Sequence, residues 1–253
     1  MHAIILAAGR GNRLAEFNPD GRPKCLLEFG GRSLLARQLD ILFQSGVSKT
    51  TLVVGYEADL IIDHVATLSS RPEIAFVYNP AFLEGSVLSL LAAQEVMTSG
   101  DSVLVLDADV LFHPQIMQRL VDSSHRNCFL IDQDFTAGDE PVKIAIHKGQ
   151  MVEFRKALPA ALEFDTLGES VGFFKFNAEF ATKILRTCSG YNTEGLLDAP
   201  HEEALRDVLL AEPSAFACED VSGLPWLEID FPGDIERAIK QVLPAIRKDI
   251  ADF

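Results

Sequence analysis

Four cationic side chains, Arg10, Arg13, Arg22 and Lys24, fall within fifteen residues of one another in a 253-residue chain whose formal net charge is −15. A knot of positive charge in an acidic protein suits a small polyanion. Gly9 and Gly11 sit inside that knot, and glycine lets backbone N–H groups approach an anion closely. Two acidic pairs stand far from it in sequence, Asp107-Ala108-Asp109 and Glu228-Ile229-Asp230. Hard carboxylates combined with phosphate oxygens are what Mg²⁺ prefers. The chemistry these groups could perform together is the handling of a polyphosphate around a divalent cation. Asp107 and Asp109 share a side if one strand runs through both. The plainer alternatives are a solvated carboxylate pair and, for Glu228 and Asp230, carboxylates that only stabilise the helix start near Pro232.

Elements that position these groups can be read from the apolar pattern. Ala3 to Ala8 is an unbroken apolar run closed by glycine, which reads as a buried parallel strand entering a tight loop. Helical spacing follows over Ser33 to Ser45 with Gly46 as the stop, then a β-branched strand at Thr50–Val54, a helix at Glu57–Leu68 and a strand at Ile74–Tyr78. Ser86 to Met97 reads as a helix with Ser86 as its N-cap, and Val103–Leu106 as a strand that delivers Asp107 and Asp109. Strand and helix alternation of this kind builds right-handed βαβ units on a parallel sheet. Ligands of such sheets bind at the carboxyl ends of the strands, which is where the Gly9 loop, Asn79–Ser86 and Asp107–Asp109 fall.

The pattern changes after about residue 125. An apolar strand at Cys128–Ile131 leads to an acidic loop (Asp132, Asp134, Asp139, Glu140), and Val142–Ile146 and Met151–Phe154 flank the hairpin signal His147-Lys148-Gly149-Gln150. Val171–Phe176 is a further strand, Asn177–Leu185 and Glu202–Leu210 are helices, and a last helix runs from Pro232 to about Arg247. There is no repeat or long linker. The reading is one α/β domain over 1–253, with 1–125 as a nucleotide-binding half and 126–253 as an acceptor-binding half ending in a helix.

Composition excludes several classes. A duplex-binding protein shows a basic face, and here the basic residues concentrate in one loop. Nucleic acid is not expected as a partner. No apolar run approaches the ~20 residues of a membrane span. The N-terminus enters its first strand without a basic leader, so a cytoplasmic protein is expected. Cys25, Cys128, Cys188 and Cys218 form no C-x-x-C pair, which disfavours structural zinc and a disulfide framework. They read as reduced packing thiols, with Cys25 beside Lys24 open to a lowered pKa. A P-loop needs Lys-Ser or Lys-Thr after its second glycine, and a dinucleotide fingerprint needs a third glycine where Leu14 stands.

Leu6-Ala7-Ala8-Gly9-Arg10-Gly11-Asn12-Arg13-Leu14, followed by Pro23-Lys24, resembles the signature of nucleotidyltransferases that activate sugar phosphates and phospho-alcohols. The Arg-Pro-Lys-Cys-Leu-Leu-Glu-Phe box, the Asp-Ala-Asp element and the small C-terminal part are most similar to the phosphocholine, inositol-phosphate and phosphonate cytidylyltransferases. The resemblance implies a Rossmann-like nucleotidyltransferase fold, a mostly parallel central sheet flanked by helices with a small acceptor-binding insertion. It implies that Asp109 and Asp230 hold Mg²⁺. It implies nucleotide contacts from Leu6, Ala7, Ala8, Gly9, Arg10, Gly11, Asn79, Glu84, Gly85, Ser86 and Asp107. Arg13, Lys24 and Lys156 are implied as catalytic cations, with Lys156 on the acceptor phosphate. Glu169 and Ser170 are implied in the acceptor site, where Glu202 joins them as a candidate carboxylate.

The activity so implied is transfer of CMP from CTP to a small phospho-alcohol or phosphonate, such as phosphocholine or 2-aminoethylphosphonate, with release of pyrophosphate. Inositol phosphate and sugar 1-phosphates are the alternative acceptors. A non-catalytic nucleotide-binding regulator is the alternative of another class, and an NAD-dependent oxidoreductase is disfavoured by the broken fingerprint. For a cationic acceptor, Trp226 and Tyr191 are candidate cage aromatics, and Asp132, Asp134, Asp139, Glu140, Glu202 and Glu203 are candidate amine partners. His113 and His201 read as a turn residue and a helix-start residue. A homo-oligomer is left open.

Overall fold

A computed structural model describes residues 1–11, 13–14, 21–69 and 73–251. Asn12 of the glycine-loop motif lies outside the described residues. The apolar run near the start forms β1 (His2–Ala7), and its neighbours are β4 (Lys49–Val54) and β6 (Val103–Asp107), both parallel to it. β5 (Glu73–Tyr78) extends the parallel set beyond β4, and a short separate hairpin, β2 (Glu28–Phe29) with β3 (Arg32–Ser33), lies between β1 and β4 in the chain. The helices between these strands are α1 (Leu34–Gln44), α2 (Ala58–Ala66), α3 (Ser86–Ala92) and α4 (Gln94–Met97). Ser33 caps α1 by accepting from the Ala36 N–H, and Gly46 closes it with φ of 82°. The expected single helix from Ser86 is broken at Ala93, and its N-cap is Gly85 rather than Ser86.

Side chains of β1 alternate between two cores. Ala3, Ile5 and Ala7 pack with α1, α2 and α5 (Pro114–Asp122), while Ile4 and Ala8 pack with α3, α6 (Ala178–Thr193) and α7 (His201–Ala211). A strand buried on both faces must be apolar at every position, which is why its sequence shows no alternation. The chain leaves β1 towards β4 and β5, then returns to β6 on the other side. The crevice beyond β1 and β6 is therefore a topological switch point.

The later strands convert the sheet from parallel to mixed. β11 (Thr166–Phe176) runs antiparallel to β6, to β8 (Cys128–Asp132) and to β9 (Lys143–His147). β9 forms a hairpin with β10 (Gln150–Arg155) through Lys148 and Gly149, both at positive φ. β12 (Ala217–Asp220) pairs parallel with β8. β11 begins five residues before the apolar stretch that announced it and bends at Gly172, where φ is 78°.

Two short strands set the site. β6 stops at Asp107, a turn at Ala108-Asp109 follows, and β7 (Val110–Phe112) pairs antiparallel with β13 (Trp226–Glu228). The Ile229 N–H donates to the Asp109 carbonyl at 3.0 Å, so the two acidic pairs meet although more than a hundred residues separate them. Asp107 and Asp109 would share a strand face only if the strand ran through both, and it ends at Asp107. The final helix is likewise not continuous: α8 (Pro232–Arg237) passes through a π-turn at 238–242 into α9 (Leu243–Ala251). Pro244 lacks an N–H and crowds the carbonyl four residues back, and a widened turn accommodates this. Among the described residues, no helix is long and apolar enough to cross a membrane.

Candidate active site

Lys24 is the hub. Its Nζ donates to Asp109 Oδ2 at 2.9 Å and to Asp230 Oδ1 at 2.5 Å. Burial opposes the charge on Lys24, but the two carboxylates outweigh it and raise the pKa above the usual lysine range. Gly11, with φ of 65°, lies against the Lys24 stem, where a Cβ would come within 2.6 Å of Cγ. The glycine thus serves the turn and the close approach of the lysine together. A cavity of about 120 Å³ is lined by Leu6, Ala7, Gly9, Gly11, Lys24, Cys25 and Asp109, among others. A Cβ at Gly9 would meet no protein atom, so the fold itself does not require glycine there. Cys25 is buried and its thiol is pushed up to about 12, the reverse of the lowering its lysine neighbour suggested. Its role is packing.

Asp109, Glu228 and Asp230 offer carboxylate oxygens that all lie within 4.8 Å of one another. Glu228 reaches solvent through the crevice, yet desolvation by the surrounding protein, with the charges of Asp109 and Asp230, pushes its carboxyl up to about 8. Asp107 points the other way, into a recess of about 50 Å³ shared with Glu140, Lys156, Ser170, Gly172, Glu202 and Glu228. Burial, then the charges of Glu202 and Asp109, hold its carboxyl well above the usual range. A Cβ on Gly172 would fall 2.4 Å from Asp107 Oδ2. That explains a glycine in the middle of β11.

On the far side of the acidic triad lies a cavity of about 410 Å³, walled by Phe135, Trp226 and Phe231 and by Asp132, Asp134, Glu140, Glu169, Asp230 and Asp234, with Arg237 as its cation. Trp226 Nε1 donates to Asp132 Oδ2 at 2.7 Å. Burial and the neighbouring Asp132 push Glu169 up to about 7. Arg13 reaches both sides: Nη1 lies 3.3 Å from Asp230 Oδ2 and 3.4 Å from Glu140 Oε2, with its guanidinium over the Phe231 ring. Lys156 Nζ donates to Glu140 Oε2 at 3.0 Å. That bond, with the charge of Lys156, holds the Glu140 carboxyl below the usual glutamate range.

Of the residues predicted from sequence, the structure places Leu6, Ala7, Gly9, Gly11, Arg13, Lys24, Asp107, Asp109, Lys156, Glu169, Ser170, Glu202 and Asp230 around three neighbouring cavities that meet at Lys24 and the acidic triad. Others also have contacts within the fold outside these cavities. Ala8 is buried, and its carbonyl accepts from the Tyr56 N–H. Arg10 stacks on Tyr56. Asn79 is buried, donating to Ser89 and accepting from the Ala81 N–H. Gly85 and Val87 N–H groups donate to Leu197 and Ala199 carbonyls, and the Ser86 hydroxyl accepts from the His201 N–H. The α3 N-terminus is therefore closed by residues 197–201, and Gly85, where a Cβ would strike the Ala199 carbonyl, is needed for that packing. Glu84 is exposed. Tyr191 bonds to Asp207 between α6 and α7 and lines none of these cavities, and Glu203 pairs with Arg155.

The sequence leaves Glu228 open between a metal ligand and a helix-start carboxylate, and it reads His201 as a helix-start residue, which is where the structure has it. His201 is buried at the start of α7, with Nδ1 near Ser86 Oγ and Glu202 Oε2 and its ring edge-on to Phe174. His113 caps α5.

Cations and carboxylates are thus gathered at the switch point of an open α/β sheet, where such folds bind their ligands. Residues 3–168 match the model of the MobA-like NTP transferase domain, and the chain belongs to that family. It is 26% identical over 242 residues to CMP-5'-(3-aminopropyl)phosphonate synthase of Streptomyces rubellomurinus, covering 94% of this chain and 38% of that protein. It is 21% identical to the CTP:phosphoglutamine cytidylyltransferase of Campylobacter jejuni, covering 95% of this chain and all of that one. Among solved structures, the inositol-1-phosphate CTP transferase of T. maritima superposes with a TM-score of 0.79 at 21% identity, over 98% of this chain and 95% of that one. The CTP:phosphocholine cytidylyltransferase of Streptococcus pneumoniae does so with a TM-score of 0.70 at 19% identity, over 93% and 96%. The chain spans the full length of some curated relatives and about two fifths to half of others. These relatives and neighbours are nucleotidyltransferases.

Proposed function

We propose that this chain is a cytidylyltransferase that moves CMP from CTP to a small acceptor bearing a phosphate or phosphonate, releasing pyrophosphate. The observation that carries this reading is Lys24 seated between Asp109 and Asp230, at the point where the glycine-loop pocket meets the acidic triad. CTP as donor, and a phosphonate, phosphorylated amide or inositol phosphate as acceptor, are supported by what the relatives' names say of those proteins. We also propose that 1–253 acts as one domain, since one nine-stranded sheet runs through both halves.

The acceptor's oxygen is already anionic and needs no strong base. It forms a bond to the α-phosphorus while the bond from that phosphorus to the bridging oxygen breaks, and pyrophosphate leaves with the electron pair. The barrier is repulsion between polyanions, so positioning and charge stabilisation dominate. Gly9 and Gly11 bring backbone to the triphosphate, and Lys24 faces the charge that develops on the leaving group. Arg13 spans donor and acceptor, and Lys156 holds the acceptor's anionic group.

The donor set fits a hard divalent cation. Around the triad, the carboxyl groups of Asp107, Asp109, Glu140, Glu202, Glu228 and Asp230 outnumber the cations Lys24, Arg13 and Lys156. Asp109 and Asp230, with Glu228, would hold Mg²⁺, which when bound supplies charge stabilisation at the reacting phosphates. The walls of the 410 Å³ cavity combine aromatic rings with carboxylates, which favours an acceptor that carries an amine or quaternary ammonium. Pyrophosphate release measured over a panel of nucleotides and acceptors tests the proposal. Nucleotide binding with no turnover across the panel would make this a regulator instead.

A further inference from the structure

We propose that Glu140 is a displaceable gate, standing where the acceptor's anionic group must lie and yielding only to a phosphate or phosphonate dianion. The inference rests on the reading of the site given above. One oxygen, Glu140 Oε2, receives both Arg13 Nη1 at 3.4 Å and Lys156 Nζ at 3.0 Å. These two cations approach from opposite parts of the chain and converge on an oxyanion, and at present that oxyanion belongs to the protein.

The placement is built into the loop. Lys143 Nζ donates to the carbonyls of Gly138 at 2.7 Å, Pro141 at 3.4 Å and Lys156 at 2.6 Å. That clamp ties both flanks of Glu140 to the backbone of the residue it pairs with. Glu140 also lines both the 410 Å³ cavity and the 50 Å³ recess, so its side chain is part of the partition between them. Swinging it out opens the way from the aromatic cavity to the recess beside Glu228 and Asp107.

The strength of the contact suits a gate. Side-chain exposures of Arg13, Glu140 and Lys156 are 49%, 54% and 47%. Exposed ion pairs of this kind are weak and screened by salt, so the carboxylate can leave. A dianion brings twice the charge and more acceptor oxygens to the same two cations. A monoanion only equals what Glu140 already supplies. The device would select doubly charged acceptors without any contact to the rest of the acceptor.

The test is calorimetric titration of inorganic phosphate, at pH 8 and low salt, into the wild type, Glu140→Ala and Glu140→Gln. Both variants should bind phosphate roughly fivefold more tightly, a gain of the size expected for removing two exposed ion pairs. The gain should shrink in high salt and vanish in the double variant Glu140→Ala/Lys156→Ala. With CTP, acceptor KM should fall by a similar factor, and preference for a phosphonate over its singly charged monomethyl ester should narrow. Unchanged or weaker phosphate binding in both single variants would overturn the proposal, as would a gain that survives loss of Lys156. A raised acceptor KM would show that Glu140 binds the acceptor itself. Turnover accompanied by unchanged phosphate binding would sink the gate and leave the cytidylyltransferase standing. Tighter phosphate binding without turnover on any nucleotide would do the opposite.

Discussion

Replacing Asp109 with Asn separates the catalytic from the structural use of the acidic triad. Asp109 attracts Lys24 at 2.9 Å and repels Glu228 and Asp230 within 4.8 Å. With an effective dielectric of about 20, the attraction is about 6 kcal/mol and each repulsion is at least about 3.5 kcal/mol. Glu228, pushed up to about 8, escapes part of its share by holding a proton. The opposing contributions nearly cancel, so the fold gains little from a charge at position 109. Asp109→Asn should therefore melt within about 3 °C of the wild type in EDTA. Turnover with Mg²⁺ should fall by about a hundredfold or more, since a ligand for the cation at the reacting phosphates is lost. Differential scanning fluorimetry and a coupled pyrophosphate assay read the two effects. A large fall in Tm with EDTA present would show that the fold depends on the charge at position 109, and near-normal kcat at modest Mg²⁺ would show that Asp109 is not a ligand.

Gly172→Ala should cost both stability and activity, because its φ of 78° disfavours a side chain and the new Cβ falls 2.4 Å from Asp107 Oδ2; about 2 kcal/mol of strain gives a Tm lower by about 4–8 °C. Lys24→Ala should lower kcat and kcat/KM together, whereas Arg13→Ala should also raise the nucleotide KM; a Lys24 variant with raised KM and normal kcat would contradict the assignment. The metal-free protein should lose stability as pH rises from about 4.5 towards 8. Asp107 and Glu228 keep their protons in the fold, while the unfolded chain releases them over that window. Melting curves in EDTA check the sign, and added Mg²⁺ should raise Tm more at pH 8 than at pH 5.

The first 125 residues were legible because their signals are local. β1 and β4 announce themselves as apolar runs, Ser33 and Gly46 bracket α1, and the glycine loop follows its strand directly. The start of β11 was not legible, since Thr166-Leu167-Gly168-Glu169-Ser170 carries no apolar run and owes its strand form to pairing with β9 and β8. α6 extends past Leu185 through Cys188-Ser189-Gly190, a stretch with poor helical propensity that packing against α3 and α7 sustains. The junction of Asp109 with Glu228 and Asp230 depends on β7 and β13, three residues each. Pairing between such short, distant strands leaves no periodic trace. Family resemblance alone pointed to Asp109 and Asp230 as a pair, and it passed over Glu228 beside them. Gly85 and Ser86, which the resemblance places at the nucleotide, also seat the 197–201 segment on α3.

Whether the proposed site joins CMP to a phosphorus-bearing acceptor is read most directly by ³¹P NMR of the protein with CTP, Mg²⁺ and 2-aminoethylphosphonate or phosphocholine. The CTP resonances should disappear, a coupled pair should grow from the new anhydride between the CMP phosphorus and the acceptor phosphorus, and one pyrophosphate should form per product. Nucleotide consumed to CMP or CDP with no such coupled pair would contradict the proposal.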